Sequence, residues 1–297
     1  MQFVTSRQVR ELRDAEPPAA LLDVRTPEDF AIDHLAGALH ACVFEVSFVD
    51  QVRRLVPELD RVLVVYGPGT PSLESTEAAR KLAAAGYSAV VNFPGGLAEW
   101  KADGFATLGN GPGVEPPAPE GWVPIDLNET RVEWTGRNLL NRHCGTVAPK
   151  SGRLGFERGW LVGGEVVLDM TSIRCTDISD PVANAQLIAH LASADFFDIG
   201  RHPEARLEIR QAAPVANGRP GVPNLELRCD FTLRGITRPL AFPAVAGRTP
   251  EGRIAAQAVF AFDRTEWGSA YGSGRFFRGL GKHLVNDLVE VQVRMVA

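Results

Sequence analysis

The hydrophobic pattern of this 297-residue chain changes period at residues 109–121, GNGPGVEPPAPEG. That break constrains the fold more than any single motif. The stretch is dominated by glycine and proline and has no apolar periodicity, which predicts a linker partly stiffened by proline. Before it, short apolar runs alternate with helical patterns. LLDV (21–24), VLVVY (62–66) and AVVNF (89–93) are predicted strands. VLVVY is apolar on both faces, as a strand covered on both sides must be. STEAARKLAAAG (75–86) carries apolar residues at helical spacing and stops at Gly86. Strand–helix alternation predicts a parallel sheet with helices on both faces.

After the linker the period falls to two. In NLELRCDFTLRG, Leu225, Leu227, Cys229, Phe231 and Leu233 share one face, with polar residues between them. Ile254, Ala256, Ala258, Phe260 and Phe262 repeat the pattern, as do Val289, Val291, Val293 and Met295. Many half-apolar strands predict an antiparallel sandwich or barrel. The one helical stripe, Leu187, Ile188, Leu191 and Ala194 within residues 183–197, predicts a helix that plugs or caps it. The expected organisation is multidomain. An α/β unit at 1–108 is joined by the linker at 109–121 to an all-β barrel at 122–297.

Net charge narrows the partners. At −5 it favours neither nucleic acid nor an anionic membrane. No apolar run is long enough to span a bilayer, so no integral membrane segment is expected. The first residues show no signal-peptide pattern, which makes the cytoplasm the expected location. Cys42, Cys144, Cys175 and Cys229 form no CxxC pair and are expected as free, buried thiols.

LLDVRTPEDFAIDHLAGALHA (21–41), VVYG (64–67) and FPGGLAEWKADG (93–104) make residues 1–108 resemble a rhodanese-like domain. The resemblance implies a cysteine on the loop after the fourth strand, its thiolate and persulfide held by loop N–H groups. This chain has Gly67 there, on a loop about two residues longer than the family's. A glycine cannot carry a transferable sulfur. What remains is an expected anion loop of Gly67, Gly69, Thr70 and Ser72, with Ser72, Ser75 and Thr76 also suited to helix capping. Asp23, Arg25 and Glu28 stand where the family has a structural ion network beside the loop. Cys42 is the fallback thiol, suggested only by its place at the carboxyl end of a strand.

WVPIDLNETRVEWTGRN, HCGTV, GGEVVLDMTSI, HLASADFFDIGRHPEARLEI and FDRTEWG, in that order, make residues 122–297 resemble a YceI-like domain. The resemblance implies a lipocalin-like barrel and long apolar ligands such as polyisoprenoids or fatty amides. The residues themselves leave the contents open. Ala256, Ala258, Gly163 and Gly164 are small and leave room; Phe231, Phe242, Phe260 and Phe262 take it away. His143 and His190 are expected as polar groups at the cavity. Trp134, Trp267 and Tyr271 line its mouth or belong to the core. Asp263 and Arg264 are expected to pair. No histidine shows a metal-ligand spacing, and no thiol or carboxylate completes a set. No metal or cofactor is therefore expected.

The function expected is a non-catalytic binding protein. Its barrel takes a small apolar or amphiphilic, isoprenoid- or lipid-like molecule, and its rhodanese-like half docks or regulates without sulfurtransferase activity. The alternative is a sulfurtransferase using Cys42. A homodimer through the barrel is compatible with either reading.

Overall fold

The computed structural model describes residues 2–113, 117–216, 221–249 and 251–297. It divides into two compact units, Met1–Val114 and Glu115–Ala297. Residues 114–116 of the expected linker lie outside the described residues. The amides of Asn110 and Gly111 bond the carbonyls of Ala31 and Ile32, so the first residues expected as linker are fastened to the first unit.

In the first unit the strands are β1 (Gln2–Phe3), β2 (Ala20–Asp23), β3 (His34–Leu35), β4 (Leu39–His40), β5 (Leu63–Tyr66), β6 (Val90–Phe93) and β7 (Thr107–Leu108). The helices are α1 (Ser6–Arg13), α2 (Pro27–Ile32), α3 (Phe48–Leu55), α4 (Glu74–Ala84) and α5 (Gly96–Ala102). The main sheet runs β1-β6-β5-β2-β4, with every pairing parallel. Central β5, LVVY, is buried along its whole length. Leu63 and Val65 pack into one apolar cluster, Val64 and Tyr66 into the other. That two-sided burial is why the strand reads as a continuous apolar run.

The second unit contains β8 (Gly121–Pro124), β9 (Arg131–Arg137), β10 (Arg142–Glu157), β11 (Trp160–Cys175), β12 (Glu204–Pro214), β13 (Leu225–Leu233), β14 (Ile236–Arg248), β15 (Ile254–Asp263) and β16 (Leu288–Val296). Strands β9 to β16 pair in chain order, and β16 pairs back onto β9, which closes an eight-stranded antiparallel barrel. Closure leaves these strands no free edge. Short β8 adds to the far half of β10. Register shifts in β10 and β12 mark bulges, the device by which long strands bend around a barrel.

One helix, α6 (Pro181–Ala192), interrupts the strands. The Asp180 side chain caps it by accepting the Ala183 amide at 2.7 Å, and Pro181 occupies its first turn. Leu191 and the following Phe196, Phe197 and Ile199 bury against Met170, Ile173 and Phe231 of the barrel. The helix therefore closes over one end of the barrel, and it stops at Ala192, short of the expected 197 because Ser193–Phe197 form turns.

Candidate functional site

Alternation along the barrel strands sends apolar side chains inward, and they do not fill the interior. A middle cavity of about 100 Å³ is walled entirely by apolar groups, including Trp134, Leu207, Phe231, Phe260 and Met295. It shares Trp134, Phe197 and Val289 with a mouth cavity of about 170 Å³ beside α6. In the other direction it shares Leu207, Phe260, Val293 and Met295 with a far cavity of about 60 Å³. Ala256 and Ala258 line the far cavity, so the small side chains on β15 do leave room. Gly164 does not: a Cβ there would sit 2.9 Å from Ile209 Cδ1, so neighbours already fill that space. Phe242 stacks on Phe260 with ring centres 4.1 Å apart, which narrows the far end.

Of these three cavities only the mouth exposes polar surface, and His143, His190, Tyr271, Arg264, Asn138 and Asn141 border it. The His190 ring stands edge-on to Tyr271 at 4.6 Å and to Phe196 at 4.9 Å, with Nε2 3.7 Å from Asp195. Trp134 spans the mouth and middle cavities, and its indole N–H is buried with no hydrogen-bond partner among the described residues. A buried N–H left in that state costs about 1–3 kcal/mol. Leu139 and Leu140, between the mouth residues Asn138 and Asn141, are 84% and 86% exposed and give the rim an apolar lip.

Two expectations are decided here: of mouth and core, Trp267 takes the core, and the Asp263–Arg264 pair does not form. Trp267 is core rather than mouth: it is 1% exposed, donates to the Phe231 carbonyl at 3.0 Å and packs on Phe231 and Phe262. Arg264 does not pair with its neighbour Asp263. The Asp263 carboxylate turns back to accept from Thr265, capping a short 3-10 turn. The Arg264 guanidinium instead donates to the carbonyls of Asn286, Ser269 and Val285 and lies 3.7 Å from Asp287. Burial holds its pKa below the usual arginine value.

A third expectation concerned completing ligands for histidine. Antiparallel pairing sets Gly145 opposite Cys175, which brings the end of β11 to the start of β10. The donor atoms of His143, Cys175 and Asp177 then lie within 4.8 Å of one another. Sequence reading found no such thiol or carboxylate because the three meet only through strand register. Burial raises the Cys175 thiol pKa, and the neighbouring Asp177 carboxylate adds to it. Burial would also raise Asp177, but the Cys144 amide, the Cys175 thiol and His143 outweigh that and hold it at about 2.

In the first unit, carbonyls and hydroxyls of the loop after β5 bond within the unit. Gly69, at φ +125°, and Gly95 approach so closely that a Cβ on Gly69 would lie 2.6 Å from the Gly95 carbonyl. The carbonyls of Gly67 and Pro68 accept the amides of Leu97 and Ala98 at the start of α5. Thr70 donates to the Pro94 carbonyl at 3.4 Å, and Ser72 donates to the Glu74 carboxylate. A Cβ built on Gly67 would meet Glu74 Oε2 at 3.2 Å and the Ser75 amide at 3.6 Å. A carboxylate thus stands beside the position that a sulfur would need. No hydroxyl caps α4, whose N-cap is Leu73; Thr76 instead accepts from Asn92.

Asp23 and Arg25 form the buried pair expected of them, at 2.7 Å. Burial opposes the Arg25 charge, yet bonds to Asp23 and Asp33 leave its pKa raised. The third member is Asp33 (3.2 Å from Arg25, and also bonded to Lys101) rather than Glu28, which lies exposed in the first turn of α2, where its charge suits the helix dipole. Cys42 is 5% exposed and follows the edge strand β4, with β2 between β4 and β5. Two strand spacings, about 9–10 Å, separate the strand it follows from the one that leads into Gly67.

The sequence matches the YceI-like domain family over residues 124–297, more than half of the chain. The chain belongs to the YceI-like family. Ahead of the barrel, this YceI-like protein carries a rhodanese-like domain, matched over residues 5–103. There it is 30% identical over 101 residues to the thiosulfate sulfurtransferase GlpE of Pseudomonas aeruginosa, covering 34% of this chain and 84% of that one. Among solved structures it resembles BcnA of Burkholderia cenocepacia (19% identity, 58% of this chain and 99% of that one, TM-score 0.46). It also resembles a polyisoprenoid binding domain from Saccharophagus degradans (11% identity, 60% and 98%, TM-score 0.44).

Proposed function

We propose that this YceI-like protein is a binding protein whose barrel holds a small apolar or amphiphilic, lipid-like molecule. The observation that carries the proposal is the run of three wall-sharing cavities, of which the middle and far ones are apolar and the mouth carries polar groups. An apolar chain fits the interior, and a few placed polar groups orient one end. The unpartnered Trp134 N–H supports a ligand with an oxygen acceptor near the neck of the barrel. The exposed Leu139–Leu140 lip supports loading from a lipid phase.

In the same reading the rhodanese-like half serves as a docking or regulatory module and transfers no sulfur. Residues 43–143 contain no cysteine, and the Glu74 carboxylate beside Gly67 repels any anionic sulfur species. The four thiols are unpaired, which suits a reducing compartment, and a cytoplasmic location is part of the proposal. The ligand is found by denaturing freshly purified protein and running mass spectrometry on what it releases. A long-chain lipid carrying at least one oxygen is expected. Recovery of no apolar molecule from several preparations, together with failure to take up fluorescent fatty probes, refutes the proposal.

A further inference from the structure

We propose that His143, Cys175 and Asp177 form a site for a divalent transition metal, zinc being the best fit, at the rim of the barrel mouth. The donor set is chemically right. An imidazole nitrogen, a thiol sulfur and a carboxylate oxygen are the three ligand types zinc takes from proteins. Their spacing is right as well. His143 Nδ1 lies 3.1 Å from Asp177 Oδ2, and Cys175 Sγ lies 3.2 Å from Asp177 Oδ1. Two ligands each about 2.0–2.3 Å from a tetrahedral zinc stand about 3.3–3.8 Å apart. The three donors lie within 4.8 Å of one another, so movement of up to about 1 Å, with rotation of the carboxylate, brings one oxygen and the two other donors around an ion.

The surroundings favour a cation over a closed hydrogen-bond cluster. Among the described residues no lysine or arginine pairs with Asp177; its partners are the Cys175 thiol, the His143 ring and the Cys144 amide. The Cys144 N–H donates to Asp177 Oδ1 at 2.9 Å, which orients the carboxylate as an outer-shell donor does at a metal centre. His143 and Asp177 keep 43% and 30% of their side-chain surface, so an ion has a way in, while Cys175 is buried behind them. Binding replaces the Cys175 S–H···Oδ1 hydrogen bond with a metal–thiolate bond and releases the thiol proton to solvent. Three protein ligands leave a fourth position for water or an oxygen of another molecule. Because His143 also borders the mouth cavity, that position stands beside the entrance to the barrel.

The test is titration of the full-length protein with Co2+, followed by competition with Zn2+. One Co2+ per chain is expected, with a thiolate charge-transfer band and the intense visible bands of tetrahedral cobalt. Cys175→Ser removes the charge-transfer band, whereas Cys144→Ser, Cys42→Ser and Cys229→Ser keep it. His143→Gln and Asp177→Asn each weaken Zn2+ binding at least tenfold. Both side chains are partly exposed, so these variants carry the test if Cys175→Ser does not fold. A spectrum without a thiolate band, a band that survives Cys175→Ser, or unchanged affinity in both His143→Gln and Asp177→Asn overturns the site. None of these readouts depends on what the barrel holds.

Discussion

The loop Gly67–Ser72 in the first unit and the neck of the barrel in the second are both places where this chain brings polar groups together. They differ in how far those groups are already satisfied. At the loop, the hydroxyls of Thr70 and Ser72 and the carbonyls of Gly67 and Pro68 all have partners within the unit, and Glu74 stands over the turn. At the neck, the Trp134 N–H has none among the described residues, and the walls enclose space. A buried polar group without a partner is costly, so it persists where something else gains from it. Under the proposed function, the open polar group and the enclosed space lie in the barrel, and the paired carbonyls and hydroxyls lie in the first unit.

If that contrast is right, changes in the first unit act on stability and changes at the neck act on affinity. The largest effect is expected from Arg25→Ala. It strands the Asp23 carboxylate, which is fully buried, and costs the first unit about 3–5 kcal/mol. Chemical denaturation should show it, with the barrel's ligand content unchanged; a loss of ligand would break the comparison. Next in size is Trp134→Phe. Affinity for an oxygen-bearing lipid should fall about tenfold relative to a hydrocarbon of the same length, the worth of one hydrogen bond, as read by probe displacement. Equal losses for both ligands would mean that the indole contributes shape alone.

A smaller effect is expected from Gly67→Cys. The new thiol meets Glu74, so thiosulfate–cyanide turnover stays near background and rises only when Glu74→Gln is added. Full activity from the single change would return the first unit to the enzymes. The smallest concerns acid. Burial opposes the Asp33 charge, but Lys101 and Arg25 outweigh it and depress its pKa. Its contribution is therefore present above the ordinary aspartate pKa of 3.8 and is lost as pH falls through the lower folded value. Asp33→Asn should flatten that part of the acid limb of the first unit's stability; an unchanged limb would remove Asp33 from the network.

Much of this was legible in the chain itself. The two-sided run at β5, the one-sided strands from β9 onward and the single amphipathic helix follow from where apolar residues recur, because period reports directly on which faces are buried. His143, His190 and Tyr271, which the sequence marks as candidates, meet at the mouth. Asp33, Glu74, Asp177 and Cys175 were not, because their partners are set by strand register, by a turn or by the packing of α5. Their only trace in sequence was position: Asp177 follows Cys175 by two at a strand end, and Asp33 follows the capped α2.

The order of apolar and polar residues alone determined that a parallel sheet is followed by an antiparallel sandwich or barrel, since burial of one face or two is a local property of each strand; closure through β16 and β9 was decided in three dimensions. Whether the barrel interior is full, which groups lack partners and which donors converge was decided only in three dimensions. Those outcomes depend on side chains far apart in the chain competing for the same few cubic ångströms, and no period records that competition.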